Sequence, residues 1–257
     1  MEQRFMFDGV AKDYDAYRPG YPEALFADVA AEAGLGAGDR ILELGCGAGQ
    51  ATVGLASLGV PLLAVDPGPE LIRAARARVG QAPHVAFAEG TFEAWPLQPQ
   101  AFKLVFAAQA WHWIDPAIRF EKAAEALVPG GLLAVAGNVP MPGPRDLIAA
   151  IEPLFMRYAP HLWGPAPESW YLPYGPLKEL FPTAQRYGPL VHKVYPYTRE
   201  LDRAAYEGLH RSFSHYQALA EPNRTALIGG LADVIEARGE GFVISYEAHL
   251  WMAHRLR

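Results

Sequence analysis

Three carboxylates, Glu43, Asp66 and Glu93, fall at or just beyond the ends of short apolar runs, and glycines at 45, 47 and 49 follow the first of them. A buried carboxylate with nothing to do costs several kcal/mol, so Glu43 in Ile41-Leu42-Glu43-Leu44 is expected to face a polar ligand. The glycines permit positive φ and bring backbone close to a ligand where a Cβ would collide. Asp66 lies roughly 20 residues past the glycine turn, where a carboxylate accepts both hydroxyls of a ribose. A second group is Trp111-His112-Trp113. Aromatic faces there attract a cation, worth about 1–2 kcal/mol when desolvated. Alternation at a strand end would put one tryptophan in a site and pack the other. An imidazole ordinarily titrates near neutrality, so His112 suits either a general base or a hydrogen-bonding wall.

These features fit a nicotinamide dinucleotide or S-adenosylmethionine, and the glycine spacing separates the two. A pyrophosphate fingerprint, G-x-G-x-x-G, requires glycine where Gln50 stands. A carboxylate aimed into the loop repels a pyrophosphate but suits an ammonium and a sulfonium. A nicotinamide-dependent oxidoreductase is therefore disfavoured as the alternative enzyme. The different-class alternative is a non-catalytic S-adenosylmethionine-binding scaffold.

The elements that must position these residues follow from periodicity. Strands are expected at 40–44, 61–66, 84–89, 102–108 and 132–136, with helices at 23–33, 50–59, 70–79 and 116–127. Five alternations argue a doubly wound, mostly parallel sheet with helices on both faces. Carboxyl ends of such strands share one crevice, which brings Glu43, Asp66 and Glu93 together. Residues 139–189 are rich in proline and aromatics, including Trp163 and Trp170, and read as a lid insertion without regular structure. A strand over 190–197 follows, with Pro196 marking its end or a sheet edge. Helices at 200–219 and 221–238 form a substrate-side segment, 198–238, before a closing strand at 242–251. His215 and Tyr216 are its polar candidates, and Arg211 is expected either to meet a carboxylate acceptor or simply to be solvated. Residues 1–22 form an N-terminal cap that lays Tyr14 and Arg18 over a ligand.

Composition narrows the partners. The 257 residues are half hydrophobic with a net charge of -6 and no Lys/Arg-rich run, which argues against nucleic acid. Cys46 is the single cysteine; neither an internal disulfide nor a thiolate zinc site can be built from it. His210 and His215, like His249 and His254, are five apart, a poor spacing for sharing a metal on a helix, so no metal is expected. No signal-like segment and no apolar run near the roughly 20 residues of a membrane span appear, so a cytoplasmic protein is expected.

Across residues 1–137 the sequence resembles the class I S-adenosylmethionine-dependent methyltransferases. Ile41 to Gln50 matches the first motif, Ala64-Val-Asp-Pro the second, Phe102 to Trp113 the fourth strand and its loop, and Leu127-Val-Pro-Gly-Gly the turn before the fifth. The segments Phe7 to Pro22, Gln109 to Trp113, Tyr206 to Tyr216 and Tyr246 to Trp251 are similar to the branch holding trans-aconitate methyltransferases. The resemblance implies a single Rossmann-like domain over 1–257 with a seven-stranded sheet, and a small-molecule acceptor methylated at oxygen, carboxyl, nitrogen or carbon. It also implies that Glu43, Gly45, Cys46, Gly47 and Gln50 hold the methionine part, and Asp66 the ribose, with Pro67 beside the adenine. Thr91, Phe92 and Glu93 flank the adenine amino group, and Gln109 lies close to the methionine. Tyr14 and Arg18 cover it. Trp111, Trp113, Trp163, Trp170 and Tyr216 fall to the acceptor, with His112 or His215 as its base.

Overall fold

The structure, a computed structural model, describes residues 17–164, 167–183, 185–239 and 241–256. Most of the cap at 1–22, including Tyr14, lies outside these residues. Helix α1 (Glu23–Ala33) leads into β1 (Ile41–Leu44), followed by α2 (Thr52–Ala56), β2 (Leu62–Asp66), α3 (Pro69–Val79), β3 (Val85–Glu89) and β4 (Phe102–Ala108). A 3-10 turn at Trp111–Trp113 precedes α4 (Arg119–Ala126) and β5 (Leu127–Pro140). Then come α5 (Arg145–Tyr158), α6 (Pro176–Thr183), β6 (Val191–Leu201), α7 (Arg203–Arg211), α8 (Ser214–Gln217), α9 (Glu221–Arg238) and β7 (Phe242–His254).

One seven-stranded sheet runs in the order β3-β2-β1-β4-β5-β7-β6. The first five pair in parallel, and β7 pairs antiparallel with both β5 and β6. Because β1 and β4 lie between two helical layers, they are mostly apolar apart from Glu43 and Lys103, and alternate residues feed opposite cores. Leu42, Leu44, Val105, Val135 and Trp111 share one cluster; Ile41, Leu104, Phe106 and Ala134 share the other. A third cluster joins α5, α7, α8 and α9 around Leu227, Ile228 and Leu231, with Phe242 at the start of β7.

The expected order of strands and helices holds in the parallel half, with shifted bounds at Thr52–Ala56 and in β5. Strand β5 starts at Leu127, not 132, because Phe102 pairs with Leu127 before the register shifts past the Pro129-Gly130-Gly131 irregularity. Strand β6 continues to Leu201 through Pro196, which a sheet edge tolerates because the missing N–H faces no neighbour. The helix expected over 200–219 is two helices: Asp202 caps α7 by accepting from the Ala205 N–H at 2.7 Å, and Phe213 breaks the run before α8. The 139–189 insertion is not without regular structure, since it contains α5, α6 and two 3-10 turns.

Candidate active site

Two clefts open at the carboxyl edge of the parallel strands, on either side of the β1–α2 loop. Gly45 has φ +66°, and a Cβ there would lie 2.4 Å from the Ala110 Cβ; Gly49 has φ +88° with Ala75 Cα at 3.0 Å from its virtual Cβ. The loop therefore threads between the β4 and α3 sides because it carries no side chains at these positions. Asp66, 5% exposed at the end of β2, holds it in place. The Gly47 N–H donates to Asp66 Oδ2 and the Gly68 N–H to Asp66 Oδ1, each at 2.8 Å.

The smaller cleft, about 40 Å3, is lined by Arg18, Tyr21, Glu43, Gly45, Cys46, Gln50, Gln109 and Asn138, among others. Glu43 is 1% exposed, and Asn138 is 3% exposed. Burial pushes the Glu43 carboxyl up to about 8; the Thr52 hydroxyl beside it offsets part of this, and the Asp66 charge adds to it. Glu43 Oε2 and Asn138 Oδ1 are both buried acceptors without a hydrogen-bond donor among the described residues. Asn138 Nδ2 meanwhile donates to Gly20 O at 2.9 Å, which fixes the side chain against the 17–22 segment. Gln109 adopts φ +52°, uncommon for a residue with a Cβ. Its N–H donates to Ala136 O at 2.9 Å and its Nε2 to Asn138 O at 2.8 Å, tying β4 to β5.

The larger cleft, about 140 Å3, is lined by Gly47, Asp66, Pro67, Thr91, Phe92, Glu93, Gln109, His112, Trp113 and His215, with Phe213 and Arg18 at its rim. Thr91 is engaged in its own turn, accepting from the Trp95 N–H at its carbonyl, at 2.9 Å. Glu93 Oε1 accepts from the Asp115 N–H at 3.1 Å, and Lys122 donates to Glu93 O at 2.9 Å. Phe92 is 5% exposed and contributes a hydrophobic floor.

The structure separates the aromatic candidates. Trp111 is fully buried in the sheet core, 5.2 Å from Phe120, and forms no wall of either cleft, whereas Trp113 faces the larger one. The 3-10 turn over Trp111–Trp113 sends the two rings to different sides. Trp163 packs 5.3 Å from Phe155, beside the third cluster, and Trp170 packs against His112, Tyr171 and Arg119. Neither lines a cleft, because α5 and α6 draw these rings into packing that an unstructured insertion would not provide. Tyr216 is buried and lines a separate cavity behind Phe213.

His112 Nδ1 shares a hydrogen bond with the Tyr171 hydroxyl at 2.9 Å. Burial, aided by the Arg119 charge, lowers His112 to about 4. His215 is lowered to about 4 by burial and by Arg18 and His210. Both rings are therefore neutral near pH 7 and weak as bases, and they suit hydrogen-bonding walls. Arg18 Nη2 donates to Ser212 O at 3.1 Å, and its guanidinium lies 4.1 Å over the Phe213 ring, linking the N-terminal segment to the α7–α8 connection. Arg211 pairs with Glu207 instead of facing a cleft. Asn138 was not singled out from sequence; a lone amide inside Leu132-Leu-Ala-Val-Ala-Gly-Asn-Val139 is its signal. Among the described residues no cluster of three or more metal-ligating side chains occurs.

Residues 41–131, which include the glycine loop, match the family model described as a methyltransferase domain. The chain is 38% identical over 133 residues to an uncharacterized methyltransferase of Mycobacterium bovis, an alignment that covers 51% of each. It is 29% identical over 227 residues to an uncharacterized methyltransferase-like protein of Schizosaccharomyces pombe, covering 86% of this chain and 82% of that one. The chain thus spans about half the length of the mycobacterial relatives it matches. Among solved structures, one described as a candidate type II methyltransferase of Anaeromyxobacter dehalogenans superposes with a TM-score of 0.70 at 23% identity, covering 94% of this chain and 99% of that one. A Haemonchus contortus phosphoethanolamine N-methyltransferase, solved with S-adenosylhomocysteine, superposes at 0.54 with 16% identity, over 97% of this chain and 58% of that one. These two likenesses concern the fold.

Proposed function

We propose that the protein transfers a methyl group from S-adenosylmethionine to a small-molecule acceptor. The observation that carries this reading is the pair of orphaned buried acceptors, Glu43 Oε2 and Asn138 Oδ1, in one small cleft beside the glycine loop. An unsatisfied buried acceptor costs about 1–3 kcal/mol, and an ammonium group supplies the missing donors. Glu43, Gln50, Gln109 and Asn138 would hold the amino-acid end, Asp66 the ribose, and Pro67 with Thr91, Phe92 and Glu93 the adenine. When bound, the sulfonium supplies an electrophilic methyl, which the acceptor's lone pair takes while the sulfur keeps the bonding electrons. The chain's own task is to place that acceptor and exclude water, since positioning supplies most of the rate for a nucleophile that is already competent.

Arg18 and the rest of 1–22 serve in this reading as a cover, 139–189 as a lid, and 198–238 as the acceptor side of a single domain. No helix among the described residues is long and apolar enough to cross a membrane, and the acidic balance fits a cytoplasmic enzyme of small molecules. Isothermal titration tests the donor: S-adenosylhomocysteine should bind, and a nicotinamide dinucleotide should not. Binding of the dinucleotide instead would sink the reading. If the donor product binds while a broad acceptor panel yields no turnover, the scaffold alternative takes its place.

A further inference from the structure

Behind the donor cleft lies a third cavity, about 390 Å3, walled by β5 and β7 ends and by α5, α7, α8 and α9. Its volume falls at the lower end of the roughly 300–1,000 Å3 typical of small-molecule pockets. Phe213 and His215 line both this cavity and the donor cleft, so those two rings are the partition between them. They stack at 5.2 Å, and Arg18 grips the Phe213 face from the cleft side.

The wall chemistry is aromatic and almost uncharged. Tyr206 and His210 lie 4.2 Å apart, and Tyr216 meets His210 edge-on at 5.3 Å. The His210 Nδ1 is 2.8 Å from Tyr206 O and donates to it, which leaves Nε2 as the ring's acceptor. Met141, Leu147, Leu209, Val243 and Ile244 supply aliphatic surface. Arg238 is the one charged wall residue among those described, and it is already paired with Asp146 at 2.8 Å. A carboxylate placed here would be desolvated without a cation of its own, which is costly.

We propose that this cavity is the acceptor pocket and that it takes an uncharged, ring-bearing molecule, whose polar group reaches the Phe213–His215 partition. The inference rests on the methyl-transfer reading for its purpose, and its binding test stands apart from that reading. It narrows the oxygen, carboxyl, nitrogen or carbon acceptor that the resemblance implies to an uncharged one. The imidazole of His215 accepts a hydrogen bond from the acceptor's hydroxyl or amine and so aims it through the partition. Rings on the wall stack with the acceptor's ring, and specificity against anions follows from the absence of an uncommitted cation among the described wall residues.

The test is equilibrium binding of 2-naphthol and of 2-naphthoate to the full chain, with and without S-adenosylhomocysteine. The neutral ring should bind at least about tenfold more tightly than the carboxylate. Leu147→Arg adds a cation to the cavity wall and touches neither donor cleft. It should weaken naphthol by about tenfold, strengthen naphthoate, and leave S-adenosylhomocysteine affinity unchanged. Tighter naphthoate binding by the unaltered protein, binding of neither probe, or a Leu147→Arg protein with unaltered probe affinities would each overturn the assignment. Failure of S-adenosylhomocysteine to bind, with naphthol still held and still sensitive to Leu147→Arg, would overturn the donor reading and leave the pocket standing.

Discussion

Asp66 and Gly47 meet through a 2.8 Å hydrogen bond that crosses from the end of β2 to the glycine loop after β1. The same carboxylate takes the Gly68 N–H on its other oxygen, so one side chain shapes both walls of the donor cleft. Asp66→Ala should lower the affinity for S-adenosylhomocysteine by more than about tenfold in a titration. It should also cost about 1–3 kcal/mol in urea unfolding of the ligand-free chain, because two buried amides lose their acceptor. Unchanged affinity in a folded Asp66→Ala protein would remove Asp66 from the site.

Glu43 gives a pH signature with a definite sign. Its folded value of about 8 lies above the ordinary 4.5, so the native ligand-free chain binds more protons than the unfolded one between those values. Stability from this group is fully present below pH 4.5 and is lost as pH rises through 8. Glu43→Gln should therefore raise the ligand-free Tm above that of the unaltered chain at pH 8 while shrinking the Tm gain from S-adenosylhomocysteine. Binding to the unaltered chain at pH 7 should release a proton, read as a dependence of calorimetric heat on buffer ionisation enthalpy.

The histidines act in the opposite direction. His112, His210 and His215 are each lowered to about 4, chiefly by burial. Groups depressed in the folded state lend stability above their unfolded value of 6.5, and that stability is lost as pH falls through 4. The Tm should drop between pH 6.5 and 4, and a His112→Gln/His210→Gln pair should flatten that drop. An unaltered slope in the double variant would place the acid-sensitive groups elsewhere.

Gly137 in β5 carries the Tyr171 ring directly above it: a Cβ there would sit 2.2 Å from Tyr171 Cγ. Tyr171 in turn bonds His112 and accepts from Trp251 Nε1 at its carbonyl, at 2.8 Å. Gly137→Ala should cost about 1–3 kcal/mol in denaturant unfolding by overpacking. It should also shift the His112 ring resonances in NMR, which a purely local loss would not do.

The parallel half of the fold was readable because buried parallel strands are continuous apolar runs punctuated by glycine. The 41–50 loop and Asp66 were readable for the same reason, since a polar residue ending such a run stands out. Helix α5 was hidden by Pro153 inside it and by prolines before it, which imitate a loop. The choice between Trp111 and Trp113 was closed to alternation arguments because the segment is a 3-10 turn and not a strand end. The third cavity depends on side chains from β5, β7 and four helices, and no local spacing encodes such a convergence.

The place of β7 between β5 and β6 bears on how the chain acquires its site. Tyr17 O accepts from Arg199 and Gly20 O from Asn138, contacts 182 and 118 residues apart in sequence. The 17–22 segment is thus fastened to strands made long after it leaves the ribosome. The sheet cannot be completed until β7 is available, because β6 reaches β5 only through it. Non-local pairing of this kind is slow, since loop-closure entropy is spent before contacts reward it. During synthesis the β1–β5 unit would stand with its donor loop formed and its cover held by Asn138 alone, and the second attachment, through Arg199, would arrive only once β7 lets β6 join the sheet.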